Sequence, residues 1–229
     1  MALKSETKKM LMTIQLLAIA IVLDLVISAI PGLNASMPFG GKFFGLSMFP
    51  LVIIGILFGL KYGLLGGLIY AIYNFGFDYL VYIETLRVTL ESWTGQPWSL
   101  WKIIALILFD YVIPFTAFGL SGLFHHALST HIKMISSILF VSGIRLVSAT
   151  ISGVILWSSS IDYAMSEVQS GGSPNIATRI FAFVGESLWV YSLIYNLIYI
   201  TTTTALVILI GVLIRKRLVQ IVEPQVTSL

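Results

Sequence analysis

Six apolar segments, each close to the length that crosses a membrane as a helix, constrain this chain more than any other feature. The hydrocarbon core of a bilayer is about 30 Å thick, so a helix of about 20 apolar residues spans it. The segments lie at about 10–30, 44–60, 63–80, 103–124, 134–157 and 182–214. Only 10% of the residues are charged, against about 25% in soluble domains. The sequence therefore predicts an all-α membrane protein, a six-transmembrane-helix bundle that forms a single domain over residues 1–229.

The lysines and arginines between the segments predict the orientation of the bundle, because cytoplasmic loops carry an excess of these residues. If both termini are cytoplasmic, the outer side holds only Lys42, Arg87, Lys102 and Arg179. The cytoplasmic side then holds the larger set: Lys4, Lys8, Lys9, Lys61, Lys133, Arg215, Lys216 and Arg217. We therefore expect both termini in the cytoplasm, with the first segment kept as a helix and not removed as a signal peptide.

The fourth segment contains an acid, Asp110, beside Tyr111. A charged side chain inside a bilayer is costly unless it is paired, so an intramembrane acid indicates a functional site. Two interpretations remain open. Arg145, inside the fifth segment, pairs with Asp110 or Asp24 as a structural ion pair, or Asp110 is kept for a cationic ligand.

Aromatic and amide side chains at a similar depth favour a ligand site. Trp157 ends the fifth segment, with Ala149 two turns below it. In the sixth segment the spacing places Trp189, Ser192 and Asn196 on one face, with Tyr191 and Tyr195 on the neighbouring stripe. Aromatic faces attract desolvated cations, so we predict an outward-facing cavity for a small, flat, cationic molecule.

The sequence gives no support for catalysis, metal binding or nucleic-acid binding. The three histidines, at 125, 126 and 131, fall in one loop without an acid or cysteine at ligand spacing. Gly119-Leu120-Ser121-Gly122 is similar to the GxSG of rhomboid proteases, but no later segment contains a histidine to act as base. We therefore expect no cofactor, no metal and no enzymatic activity.

The order of several stretches resembles a known family. These are LSMFPLVIIGILFGLKYGLLGGLIYAIYNF at 46–75, ILFDYVIPFTAFGLSGLF at 107–124, SGVILW at 152–157 and YSLIYN at 191–196. Together the chain resembles the substrate-binding S components of energy-coupling-factor (ECF) vitamin transporters, most closely the thiamine-specific subfamily.

The resemblance implies a binding subunit in a prokaryotic plasma membrane that takes up a vitamin from outside. Such a subunit has no ATPase of its own and docks onto a transmembrane coupling protein, which two cytoplasmic ATPases drive. The family's binding positions correspond to Asp110, Tyr111, Trp157, Tyr191 and Asn196 of this chain. Thiamine has a permanently cationic thiazolium that suits Asp110 and an aminopyrimidine that suits Trp157 and Asn196.

Two positions and one stripe of residues depart from the family pattern. Asp110 replaces the usual glutamate, and Ala149 replaces a histidine that usually lies eight residues before the tryptophan. The alanine stripe of the first helix, which docks the coupling protein, is only partial, with Ala18 and Ala20 as candidates beside glycines of helices 2 and 3. The substrate can therefore be thiamine, a precursor such as the aminopyrimidine, or another flat vitamin. A solitary facilitator or proton-coupled carrier is the alternative.

Overall fold

A computed structural model describes residues 5–77, 88, 91–92, 97–124, 127–185 and 187–227, with side chains described as far as residue 220. The described part of the chain is almost entirely helical, and four helices are long and apolar enough to cross a membrane. We number eight helices along the chain: α1 (Ser5–Ala29), α2 (Met48–Phe58), α3 (Leu60–Phe75), α4 (Leu100–Leu123), α5 (His131–Ile155), α6 (Ser158–Gln169), α7 (Ile176–Val184) and α8 (Leu188–Thr227). The prediction of an all-α membrane protein is confirmed.

The four membrane-length helices are α1, α4, α5 and α8, and each overlaps a predicted segment. The second and third segments form the shorter helices α2 and α3. The break between them is at Gly59, with φ +83°, and not at Lys61-Tyr62, the two residues between the predicted segments 44–60 and 63–80. A positive φ is readily adopted only by glycine. Lys61 and Tyr62 instead belong to the first turn of α3.

The stretch 158–181, between the fifth and sixth predicted segments, was expected to be an outer loop, but it is largely helical. Helices α6 and α7 occupy most of it, and GGSPN (171–175) lies between them. Asn175 begins α7, and its side-chain oxygen accepts hydrogen bonds from the N–H groups of Ala177 and Thr178. Ile161 and Ala177 are fully buried, so both short helices pack on the bundle.

Helix α4 departs from α-helical winding in two places. It is a π-helix over Ile107–Val112, which contains Asp110, and a 3₁₀-helix over Ala117–Leu123. Pro114 has no N–H to bond the carbonyl of residue 110, and its ring crowds that carbonyl. The N–H of Ile113 accordingly bonds Leu108, five residues back. The carbonyl of Phe109 then accepts a 2.7 Å hydrogen bond from Ser148 Oγ of α5.

Glycines allow α2, α3 and the second half of α4 to pack backbone against backbone. A Cβ added to Gly63 would lie 2.6 Å from the carbonyl oxygen of Gly119, and one added to Gly67 would lie 2.5 Å from that of Phe115. Ser121 Oγ donates to the carbonyl of Val52 at 2.8 Å across the same contact. The small-residue stripe of α2 and α3 therefore serves packing inside the bundle.

The segment 30–47 between α1 and α2 is folded against α8. The hydroxyl of Tyr195 accepts a hydrogen bond from the N–H of Phe39 at 2.8 Å, and Thr203 Oγ1 donates to the carbonyl of Phe43 at 3.0 Å. Lys42 Nζ forms an ion pair with Asp24 of α1, 2.9 Å apart. These bonds hold the segment, which we call the cover loop, over one end of the bundle.

Several features used in the sequence analysis lie outside the described residues: Lys4, Arg87, His125, His126 and the end of the third predicted segment at 78–80.

Candidate functional site

A cavity of about 580 Å³ lies beneath the cover loop and between α3, α4, α5 and α8. Its size falls in the usual range for small-molecule pockets, about 300–1,000 Å³. The wall contains aromatic rings, backbone of the cover loop and four charged side chains: Asp24, Lys42, Asp110 and Arg145. Such a mixture of apolar surface and a few polar groups is typical of a binding site for a small organic molecule.

Asp110 is held in this wall by a tryptophan. The Nε1–H of Trp157 donates a hydrogen bond to Asp110 Oδ2 at 3.0 Å. Asp110 lies in the π-helical turn of α4, and Trp157 lies between α5 and α6. Single π turns often occur at functional sites. The hydrogen bond from Trp157 to the carboxylate, and the bond from Ser148 to the carbonyl of Phe109 in the same turn, therefore hold Asp110 in the wall.

Asp110 has no cationic partner in the described part of the chain. The two ion pairs found there join Lys9 to Glu6 and Lys42 to Asp24. The guanidinium of Arg145 lies instead over the rings of Phe118 and Tyr199, 5.7 and 5.8 Å from their centroids. The structural ion pair that the sequence left open, between Arg145 and an acid, is not formed.

Helix α8 lines the cavity with Tyr191, Ser192, Tyr195, Asn196 and Tyr199. The amide nitrogen of Asn196 donates to the carbonyls of Ala149 and Ser192, at 3.2 and 2.8 Å, and its oxygen accepts from Tyr199 at 2.8 Å. The amide of Asn196 is therefore fixed in orientation, and only a second lone pair of its oxygen remains for a ligand. The hydroxyl of Tyr191 is buried and has no hydrogen-bond partner among the described residues.

Six of the seven side chains that the sequence assigned to ligand binding line this one cavity. They are Asp110, Tyr111, Ala149, Trp157, Tyr191 and Asn196. Trp189 is not in the wall, and 58% of its side chain is exposed on the surface of α8. It occupies the first turn of that helix and lies outside the cavity wall, although Ser192 and Asn196, predicted to share its face, are part of that wall.

Several residues of the wall were not predicted from the sequence, including Lys42, Phe39, Phe118 and Tyr199. Tyr199 was predictable, because it continues the four-residue spacing of Tyr191 and Tyr195. The cover-loop residues carry no periodic signal, and only the folded chain brings them to the site.

The two alanines predicted to dock a partner protein, Ala18 and Ala20, differ in their exposure. Ala18 is exposed on α1, whereas Ala20 is fully buried. Gly63 and Gly67 are covered by α4 and offer no surface to a partner. Ser121 of the protease-like motif is also fully buried and bonded to a backbone carbonyl, so it is a packing residue.

The fold and the cavity define a class: a membrane protein of packed helices with an internal cavity of small-molecule size. Comparison with known proteins narrows this class. The model of the family described as thiamine transporter protein (Thia_YuaJ) matches residues 89–169. The thiamine transporter ThiT of Bacillus subtilis (strain 168) is 24% identical over 192 residues, which cover 80% of this chain and 77% of that protein.

Both matches confirm the resemblance to thiamine-specific S components that the sequence predicted. The family and the protein that the chain matches are both described as thiamine transporters. The matched region 89–169 includes the π turn with Asp110, all of α5 and Trp157.

Proposed function

We propose that this chain is the substrate-binding subunit of an ECF-type importer and captures thiamine, or a closely related flat vitamin, from outside the cell. The proposal rests on Asp110. This acid lines a ligand-sized cavity and accepts an orienting hydrogen bond from Trp157. It has no ion-pair partner among the described residues. A buried carboxylate in this position favours a cation.

The chemistry of thiamine fits the remaining wall. Its thiazolium would lie near Asp110, and its aminopyrimidine can stack on an aromatic face such as that of Trp157. The amide nitrogen of Asn196 is already bonded. The pyrimidine edge would therefore meet the Asn196 oxygen or the unpartnered hydroxyl of Tyr191. Ala149 leaves open the space that a histidine occupies in the family.

The membrane arrangement and the partners form part of the same proposal. We propose six spans with both termini in the cytoplasm of a prokaryote, so that α2 and α3 each count as a short span and the cover loop faces outward. The partners would be a transmembrane coupling protein and two cytoplasmic ATPases, with the exposed Ala18 of α1 as the candidate contact to the coupling protein.

We expect the purified chain to bind thiamine in the absence of ATP and of any other protein. A binding subunit needs only its own cavity, and ATP is consumed by the partner subunits. Isothermal titration of detergent-solubilised protein with thiamine tests this, with and without ATP. Copurification with a coupling protein and ATPases separates an importer subunit from a solitary carrier. Binding that requires ATP would contradict the proposal.

We also expect Ala149→Leu to weaken thiamine binding at least tenfold. The added branched side chain would occupy space in the cavity wall without changing its charge. The matched control is Val147→Leu, on the same helix but with 60% of the side chain exposed. The same titration compares the two variants, and equal affinities would remove Ala149 from the site.

A further inference from the structure

The cavity contains a second charge for which the proposed function has no use. Arg145 lies on α5, ten residues before its end at Ile155, and lines the cavity. Arginines at membrane depth normally pair with an acid, bond backbone carbonyls or extend to the interface. Arg145 does none of these within the described residues, where its guanidinium meets only two aromatic rings.

Both acids of the cavity wall accept hydrogen bonds from side chains other than Arg145. Asp24 accepts a hydrogen bond from Lys42 at 2.9 Å, and Asp110 accepts one from Trp157 at 3.0 Å. Aromatic faces stabilise a guanidinium by roughly 0.5–2 kcal/mol, but they do not satisfy its five N–H donors. The donors of Arg145 are therefore available to whatever enters the cavity.

The two charges lie at different depths. The ring under the guanidinium belongs to Phe118, eight residues after Asp110 on α4, which is about 12 Å at 1.5 Å per residue. A cationic ring held at Asp110 therefore need not contact Arg145. A second group of the same ligand can extend from the acid towards the guanidinium.

The geometry points to an oxyanion subsite: we propose that Arg145 binds a phosphate ester or similar oxyanion on a ligand whose cationic ring lies at Asp110. A guanidinium matches the planar, two-oxygen edge of such groups better than any other side chain. The inference rests on the proposed function for the cationic end of the ligand. The cavity is then built for a molecule with opposite charges at its two ends.

The test compares thiamine with its monophosphate ester, each titrated into the purified protein. We expect the wild-type protein to bind the monophosphate at least tenfold more tightly than thiamine. Arg145→Met should bring the ratio of the two dissociation constants close to one, and Arg145→Lys should give an intermediate ratio. The control is Arg179→Met, an exposed arginine on α7 outside the cavity wall, which should keep the wild-type ratio.

The ratio of the two dissociation constants distinguishes an oxyanion subsite at Arg145 from a purely structural role of this residue. If Arg145 only supports the fold, Arg145→Met weakens both ligands equally, and an unchanged ratio overturns the proposal. A wild-type protein that binds thiamine but prefers it to the monophosphate overturns the subsite and leaves the proposed function intact. A wild-type protein that binds neither ligand overturns both. Arg145→Gln replaces Arg145→Met in the comparison if the methionine variant does not fold.

Discussion

Replacing Asp110 with asparagine is expected to lower the affinity for thiamine about a hundredfold. Removing one partner of a desolvated charge pair costs about 2–5 kcal/mol, and each 1.4 kcal/mol corresponds to a factor of ten. Asparagine keeps an oxygen that can accept the 3.0 Å hydrogen bond from Trp157, so the indole should stay in place. Titration of both proteins with thiamine measures the change.

The ligand itself supplies a further control for this prediction. The isolated aminopyrimidine moiety has no permanent positive charge, so Asp110→Asn should affect its binding much less than that of thiamine. Asp162→Asn, at an exposed acid of α6 outside the cavity wall, should bind thiamine like the wild type. Equal thiamine affinity in the Asp110 and Asp162 variants would show that Asp110 is not the cation-binding group.

Gly119→Ala is expected to lower the free energy of unfolding by more than about 3 kcal/mol. Overpacking usually costs about 1–3 kcal/mol, because neighbouring side chains give way. Here the new Cβ would lie 2.2 Å from the carbonyl carbon of Gly63 and 2.3 Å from the nitrogen of Leu64. These are backbone atoms of α3, and only separation of α3 from α4 relieves the contact.

For a second glycine, Gly143, we expect substitution by alanine to cause no loss of stability. A Cβ added to Gly143, within α5, meets no atom within 4 Å. Alanine is more favourable than glycine inside a helix by up to about 1 kcal/mol, so Gly143→Ala should leave stability unchanged or raise it. Denaturation of the two variants in detergent compares them. A similar effect of both substitutions would contradict the close packing of α3 on α4.

The long helices were predictable because membrane crossing imposes a simple rule on composition. A helix such as α1 or α8 requires a long apolar run, and the run is visible without knowledge of its neighbours. The number of spans is harder to predict. α2 and α3 are shorter than a full crossing, and the position of Gly59 between them depends on its backbone conformation.

Local structure in amphipathic segments was less predictable. Helices α6 and α7 are too polar or too short to be recognised as membrane spans from their sequence, so residues 158–181 were predicted to form a loop. Their helical state depends on burial of residues such as Ile161 and Ala177 against the bundle. The π turn of α4 has a local cause in Pro114, but a proline alone does not indicate whether a helix kinks, ends or widens.

The candidate site was largely predicted because polar groups in apolar helices are rare and each requires a reason. Asp110, Trp157 and Asn196 stood out in this way, and the cavity includes all three. Sequence reasoning could not decide the partner of Arg145. That depends on which way the guanidinium extends from α5, and the structure places it on Phe118 and Tyr199.

The cover loop has a consequence for how the site tolerates change. One wall of the cavity is irregular main chain, including Gly40 and Gly41, whose φ angles of +94° and +96° suit glycine. Such main chain is stable at membrane depth only when protein or water satisfies its polar groups. Peptide groups other than those of proline stay the same whatever side chains they carry. Substitutions at Ser36 should therefore change affinity only slightly, whereas loss of Tyr195 or Thr203, which anchor the loop from α8, should displace the whole loop from the cavity.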